Sequence, residues 1–489
     1  MVLDRGKFTF ERHEYLEEPY QDEHPCQVEM KSTQMGNTTR AVLRMFYWAM
    51  FLDFVGVLYL FPTKGGSGDF ASSRIDPLTE RNPFLAEQMR STDSKGMKRF
   101  AGCNLIFRGT RSEEGLRSDP CDGVIYDERD LMPDWAPEAA RGRLGHSDYK
   151  YEHSLSNPTL PDYGIDAQFQ LSDQRYWLLK CPKCGGYTCM EDHWAAEPGQ
   201  PPDCLVEWKG EVVRLCMSCR DAVLHPAQGL WVAKRPDIQD VRGRHYSQLW
   251  SQYHTPADIL KNYQTTKRMD RFYNYCLGLP YVDAANRLSI EEVLKLCGTA
   301  GLASSDGGPC AMGVDQGKGL HVVIGKPRPN RLVHLGEYLE WGELDDVMRL
   351  FNVQLCVVDG MPETRSARDF AKRHPGKVFL CWYNDNQKVL ATWHEDKLMV
   401  VVNRTESMDD SHTAVRDGEL LLPRECEPVK DFAQHCHNTA KTLEENEETG
   451  GKRYRWVKLG ADHYRHGWNY CKLALDRILE SFFGGSDLS

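Results

Sequence analysis

Three groups of residues have types and spacings that suit chemistry. The first is Cys181-Pro182-Lys183-Cys184 with Cys216-Met217-Ser218-Cys219, two CxxC pairs separated by 31 residues. Each pair can form a knuckle whose amides face the sulfurs, and four thiolates saturate tetrahedral Zn²⁺. Such a site leaves no open coordination position. The expectation is therefore a structural Zn²⁺ in an insert at 178–225, with a redox pair or chance cysteines as competing accounts. Cys189 and Cys204 lie between the pairs but lack CxxC partners.

The second group is Asp127–Glu128, which closes the apolar run Gly123-Val124-Ile125-Tyr126. At the C-terminal edge of an open α/β sheet, two adjacent carboxylates suit an NTPase. One holds Mg²⁺ through its water shell, and the next polarises the attacking water. Read alone, the pair is more simply a solvated strand end. Upstream, the strand Gln27–Met30 runs into Lys31-Ser32-Thr33-Gln34-Met35-Gly36-Asn37-Thr38-Thr39 and then an apolar helix. Loop amides and a helix N-terminus in that order favour an anion. The pattern G-x-x-x-x-G-K-[ST] is not met, because Asn37 stands in the lysine position and Lys31 in that of the first glycine. A lysine at the loop's start reaches the same phosphates from the other side, and Thr38 is placed to ligate Mg²⁺. A Ser/Thr-rich helix cap is the plain alternative.

The third group is Asp315, Asp359 and Asp462. Asp315 interrupts an apolar strand begun at Cys310, Asp359 ends the strand Gln354–Val358, and Asp462 sits at the start of a helix over 464–482. Strand-middle, strand-end and helix-start acids match a ribonuclease-H-like nuclease, whose two divalent ions clamp one phosphodiester. Individually, strand-end solvation explains Asp359 and N-capping explains Asp462. His463 and His466 read as ordinary helix-surface residues, and Met408-Asp409-Asp410 with the acidic run 444–448 as solvated loop charge.

The elements that must position these groups are legible as strands and helices in alternation. Strands at 55–61, 104–108 and 123–127, a helical 134–146 and a strand closing at Ser154–Thr159 spell a mainly parallel sheet with a site along one edge. With 489 residues, two or three domains are expected. A hydrophobic fraction of 41% and a charged fraction of 27% are those of a folded soluble chain. A net charge of −11 gives no global basic field for coating DNA or a membrane. The start Met1-Val2-Leu3-Asp4-Arg5 lacks an export signal, so the 17 cysteines are expected reduced or metal-bound. Met45 to Pro62 is nearly long enough to span a bilayer, but Asp53 and Gly56 divide it into a buried helix and a core strand. Gly298 to Gly308 marks a domain boundary.

The ordered set KSTQMGNTT, LYLFPT, IFRGTRSEEGLRSDPCDGVIYDE, SLSNPTLPDYGID and LSDQRYWLLKCPKCG resembles the large terminase subunit of tailed bacteriophages, in its lambda-like branch. That family's phosphate loop likewise begins with its lysine. The resemblance implies Lys31, Gly36 and Asn37 around ATP, Thr38 and Asp127 on Mg²⁺, and Glu128 as the catalytic carboxylate. Asn157 to Thr159 look like the coupling motif, and Arg143 is placed like an arginine finger, with Arg141 beside it. Asp315, Asp359 and Asp462 would carry Mg²⁺ or Mn²⁺. Some relatives have a further acid after the first, whereas Gln316-Gly317-Lys318-Gly319 offers none; Glu363 is an extra candidate.

The expected fold class is α/β. A P-loop ATPase over 1–285, carrying the zinc-binding insert, is followed by a linker, 286–307, and a ribonuclease-H-like mixed-sheet nuclease, 308–489. The function implied is ATP-driven movement of double-stranded DNA into a procapsid and endonucleolytic cutting of concatemers. The partners implied are the small terminase subunit and the portal, on which a ring assembles from a chain that is monomeric in solution. The compartment implied is the cytoplasm of the bacterial host, with no membrane. Two other readings stand beside it: a helicase-like DNA-dependent ATPase with an inactive nuclease domain, and a non-catalytic zinc-stabilised DNA-binding or capsid-docking protein. Asn37 favours the second.

Overall fold

The short apolar runs become buried strands, and the parallel ones are covered on both faces. In the computed structural model the chain divides into two units, Met1–Tyr281 and Val282–Ser489. The structure describes residues 1–4, 6–63, 70–94, 96–110, 112, 116, 120–195, 200–283, 286–445 and 452–483. Most of the acidic run 444–448 lies outside them.

The first unit is built on strands β1 (Cys26–Lys31), β2 (Gly56–Phe61), β3 (Cys103–Gly109), β4 (Gly123–Asp127), β5 (Tyr151–Ser156), β6 (Arg175–Lys180) and β7 (Arg242–Tyr246). They are parallel in the order β6-β7-β1-β5-β4-β2-β3. Antiparallel strands Met97–Phe100 and Met89–Ser94 extend the sheet beyond β3, and Gly229–Ala233 and Tyr187–Thr188 pair with β6. Alternation along β2 sends Val57, Tyr59 and Phe61 to one face and Leu58 and Leu60 to the other. The first face packs on helix α1 (Asn37–Phe51) through Ala41, Met45, Phe46 and Trp48. Asp53, at φ 53°, turns the chain from that helix into β2. Among the described residues no helix is long and apolar enough to cross a membrane.

The second unit is an eight-stranded mixed sheet. Strands β8 (Cys310–Gln316), β9 (Leu320–Lys326) and β10 (Asn330–Tyr338) form an antiparallel meander. β8 also pairs in parallel with β11 (Val353–Asp359), followed outward by β12 (Val378–Tyr383) and β13 (Met399–Val402). Cys310, Met312 and Val314 face one core with helices Trp341–Leu350 and Thr364–Arg373, while Ala311 faces a second with helix α2 (His463–Phe483). By alternation Gly313 and Asp315 share the α2 face.

Two expectations are corrected here. Residues 286–307, expected as a linker, pack into the second unit. Leu288 and Val293 are 1% and 0% exposed, and Ser289 and Glu292 cap a helix at Ile290–Leu294. The apolar spacing of Leu288, Ile290, Val293 and Leu294 supplies a face that must be buried. Asp409 and Asp410 belong to a helix, Arg404–Arg416, not a loop. Asp409 accepts from Lys441 Nζ and Trp456 Nε1, and Asp410 from Lys472 Nζ.

Gly313 sets how closely α2 can approach. A Cβ there would lie 2.0 Å from the Gly467 carbonyl oxygen and 2.3 Å from the Cys471 nitrogen. Gly313→Ala is therefore expected to destabilise the second unit by about 1–3 kcal/mol or more. Denaturant unfolding of the full chain checks this, and an unchanged midpoint would contradict the close packing.

Candidate functional site

The strand β1 ends at Lys31, and α1 starts six residues later at Asn37 after a left-handed Gly36 at φ 86°. A methyl at Gly36 would also meet Leu16 Cδ1 at 2.9 Å. Across the sheet edge, β4 delivers Asp127, and Glu128 follows in the left-handed region at φ 61°, ψ 51°. That conformation is uncommon for a glutamate and turns the chain sharply at the strand end. Lys31 Nζ stands 3.4 Å from Glu128 Oε1, with the lysine side chain 8% exposed and the glutamate 39%. Asp127 is buried: its Oδ2 accepts from Tyr59 O–H at 2.8 Å, and its Oδ1 has no partner. Burial pushes its carboxyl up to about 6, against the pull of Lys31, with the Glu128 charge adding to the rise.

The structure gathers some expected residues here and redirects others. Thr38 lies half-buried in the first turn of α1. Asn37, expected around ATP, turns its amide inward and donates to Glu29 Oε2 at 3.0 Å. Asn157 donates to the Lys31 carbonyl at 2.8 Å. Thr159 is held by Asp130, whose Oδ2 accepts from Thr159 N and Oγ1 at 2.7 and 2.8 Å, while Oδ1 accepts from Ile165 N at 2.6 Å. Asp130 was absent from the candidates, although DERD already offered a third acid two residues past the pair. Arg143 is not brought to this edge. Its carbonyl accepts from Cys121 N, before the start of β4, whereas Asp127 ends that strand. Neighbouring Arg141 is bound to Glu152.

The four cysteines of the CxxC pairs come together. Cys181 and Cys219 sulfurs are 3.8 Å apart, as are those of Cys184 and Cys216, and all four lie within 4.8 Å of one another. A tetrahedron with ~2.3 Å metal–sulfur bonds has edges of ~3.8 Å. Lys183 and Cys184 amides donate to the Cys181 sulfur at 3.4 Å, and the Gly186 amide to that of Cys184. Cys189 and Cys204 are outside the group.

In the second unit the Val314–Val358 register sets Asp315 beside Asp359 on one face. Burial and the Asp315 charge push Asp359 up to about 6. Asp315 Oδ2 lies 2.8 Å from His463 Nδ1. Asp462 meets Lys458 Nζ at 2.8 Å and His466 Nε2 at 3.4 Å. Burial raises the Asp462 carboxyl, but these two bases outweigh it and hold the group well below the usual carboxylate range. His463 and His466, expected on the helix surface, are thus corrected: both are partners of the acids. The ring of His463 stacks on His321 at 4.4 Å. His321 was missed too, though as the cross-strand partner of Asp315 it needed only the β8–β9 register to be found. Glu363 keeps an exposed side chain, and its amide donates to Gln316 Oε1. Among the described residues, the four sulfurs alone form a set of three or more ligands at one ion's spacing; the three aspartates do not.

Residues 5–230 match the family model described as phage terminase large subunit gpA, ATPase domain. That segment belongs to the phage terminase large-subunit family. No curated protein sequence matches it. Among solved structures, the HK97 bacteriophage large terminase is similar in fold, with a TM-score of 0.51 at 10% identity over 91% of this chain and 90% of that one. The large terminase of a thermophilic bacteriophage aligns over 96% of this chain and 98% of its own, with a TM-score of 0.34 and 13% identity. The large terminase nuclease of thermophilic phage G20c, solved with bound magnesium, covers 39% of this chain and 97% of its own, with a TM-score of 0.27 and 12% identity.

Asp130 yields a pH test. Burial, opposed by its bonds to Ile165 and Thr159, pushes this carboxyl from 3.8 up to about 6. Below the lower value both folded and unfolded states hold the proton. Between the two, only the folded state does, so a stabilisation of up to about 3 kcal/mol is lost as pH rises through 6. Asp130→Asn cannot titrate. The stability difference, wild type minus Asp130→Asn, should fall between pH 4 and 7 in urea unfolding. A flat difference would contradict the raised value.

Proposed function

We propose that the first unit hydrolyses ATP to move double-stranded DNA and that the second cuts it with divalent metal. The observation that carries the ATPase reading is the Lys31–Glu128 approach beside the buried, unpartnered Asp127 Oδ1. In this reading Lys31 neutralises the phosphates, and Glu128 orients and polarises the attacking water. Thr38 and Asp127 would hold Mg²⁺, and the free Asp127 oxygen fits that role. The ion supplies charge neutralisation between phosphate oxygens. Asn157, bonded to the Lys31 carbonyl, and Thr159, bonded to Asp130, would carry a shift of this edge into the segment beyond β5. Arg143, at the opposite edge, would serve a neighbouring subunit in a ring on the portal.

Asp315, Asp359 and Asp462 would hold the nuclease ions, Mg²⁺ or Mn²⁺, which activate a water and stabilise the leaving oxygen. The raised Asp359 carboxyl fits a site built for added positive charge. His463, Lys458 and His466 contact these acids and would have to yield. Those contacts favour a second reading, an ATPase whose nuclease is silent. The four sulfurs would hold structural Zn²⁺, since their spacing fits its tetrahedron. The partners proposed are a small terminase subunit and the procapsid portal, in the cytoplasm of a bacterial host.

ATP hydrolysis in the presence of duplex DNA tests the motor. Lys31→Ala and Glu128→Ala are each expected to lose on the order of 100-fold in rate. Wild-type rates in both variants would defeat the reading. For the second unit, Asp315→Ala should abolish Mn²⁺-dependent nicking of plasmid DNA, and persistent cutting by pure protein would refute the assignment. Zinc analysis should find about one ion per chain. A Cys216→Ser variant should lose it and melt at lower temperature; a metal-free wild type would remove the zinc proposal.

A further inference from the structure

The insert that carries the four cysteines also holds the floor of the phosphate loop. Met35 of that loop shares one hydrophobic cluster with Cys181, Cys216 and Trp250. The loop rests on the segment after β7 and on the turn at 275–278. Ser32 N donates to the Tyr246 carbonyl at 2.7 Å, Thr33 N to the Tyr275 carbonyl at 2.9 Å, and Gln248 Nε2 to Thr33 Oγ1 at 3.1 Å. Gly278, at φ 68°, presses against the same place: a Cβ there would lie 2.7 Å from Ser32 N and 3.0 Å from the Lys31 carbonyl carbon.

Two insert residues grip this floor from below. Glu191, with its side chain 3% exposed, accepts from Trp250 Nε1 at 2.8 Å. The same carboxylate stands 3.5 Å from His245 Nδ1, and His245 Nε2 bonds the Gly278 carbonyl at 3.0 Å. Arg214 donates to the carbonyls of Leu249, Ser251 and His254. Glu191 thus holds Trp250 and His245; the backbone they belong to accepts from Ser32 N at the Tyr246 carbonyl, and Gly278, whose carbonyl His245 meets, packs against Lys31 and Ser32. Burial raises the Glu191 carboxyl, yet the nearby His245 ring and the bond from Trp250 hold it below its ordinary value.

We propose that Glu191, on the insert, is a positioning residue for nucleotide binding, fixing through Trp250 and His245 the surface on which the phosphate loop lies. This rests on the reading of Lys31–Thr38 as a nucleotide site. The insert is then not only a stabilised appendage: its order is felt at the phosphates. Removing the Glu191 carboxylate leaves Trp250 Nε1–H without an acceptor and frees the 246–251 segment. A loop that must be ordered before it can bind loses affinity by that cost.

Calorimetric binding of ADP to the full chain, at a temperature where every variant is folded, tests this. Glu191→Ala should bind ADP more weakly, on the order of tenfold. Glu191→Gln, whose carbonyl still accepts from Trp250, should recover most of the affinity, and zinc content should be the same in all. Trp250→Phe keeps an aromatic side chain, smaller than the indole, and removes the same hydrogen bond from the other side; it should match Glu191→Ala and decides the matter if that variant does not fold. A merely structural role would lower the melting temperature but leave the affinity of the folded protein untouched. ADP affinity within twofold of wild type in either folded variant overturns the inference. Lys31→Ala separates the two failures. If it also binds like wild type, the nucleotide-site reading fails; if it alone loses binding, only the positioning role does.

Discussion

A single buried carboxylate, Glu29, ties together the elements on which the first unit's edge depends. It lies on β1 two residues before Lys31 and is 1% exposed. Arg40 and Asn37 reach it from α1, His153 from β5, and Tyr246 from β7. A charge removed from water is tolerable only when paired and fully hydrogen-bonded, and losing one partner of such a pair typically costs about 3–5 kcal/mol. The strand on either side of β1 and the helix after the loop are thus referred to one point. Arg40 in turn donates to the Pro19 carbonyl and to Gln27 Oε1. The loop between Lys31 and Asn37 is strung between two ends that cannot drift apart. This explains why Asn37, although it follows the loop glycine, serves the interior and not the rim.

The second unit solves its positioning problem differently, by closeness. Gly313 and the Gly467 carbonyl let α2 lie against β8, and Asp462, His463 and His466 at its start then fall over Asp315. Here the neighbours of the acids are bases. Lys458 arrives from the last strand before α2 and His466 from one turn along the helix, so two basic side chains meet Asp462. Asp359, buried and facing the Asp315 charge, carries the raised carboxyl.

Much of this was legible in the chain because local pattern and tertiary role coincide. Short apolar runs such as Val57–Phe61 and Val353–Val358 are strands, the CxxC spacing brings four sulfurs together, and the motif order agrees with the family matched over residues 5–230. What escaped depends on register and crossing. His463 and His466 look exposed on a helical projection; only the Gly313 contact turns them onto the acids. Asp130 is one acid among three until Thr159 and Ile165 fold back on it. Arg143 sits after the acidic strand in sequence, yet the connection runs back along the sheet and leaves it at the opposite edge. Leu288 and Val293 were hidden by the Gly/Ser stretch that follows them.

The strand order has a consequence for how the chain is made. β1 is flanked by β5 on one side and by β7 on the other, and β7 pairs with it across roughly 215 residues of sequence. During synthesis, β1 emerges well before β7 and waits for that neighbour until Tyr246 has left the ribosome. The whole cysteine insert is translated in that interval. The edge that carries Lys31 is therefore completed last, by a strand inserted into the middle of a sheet whose other half already exists. A nascent or truncated chain ending before residue 242 keeps the apolar strands β2 to β5 but leaves one backbone edge of β1 open, the kind of edge that pairs with other chains.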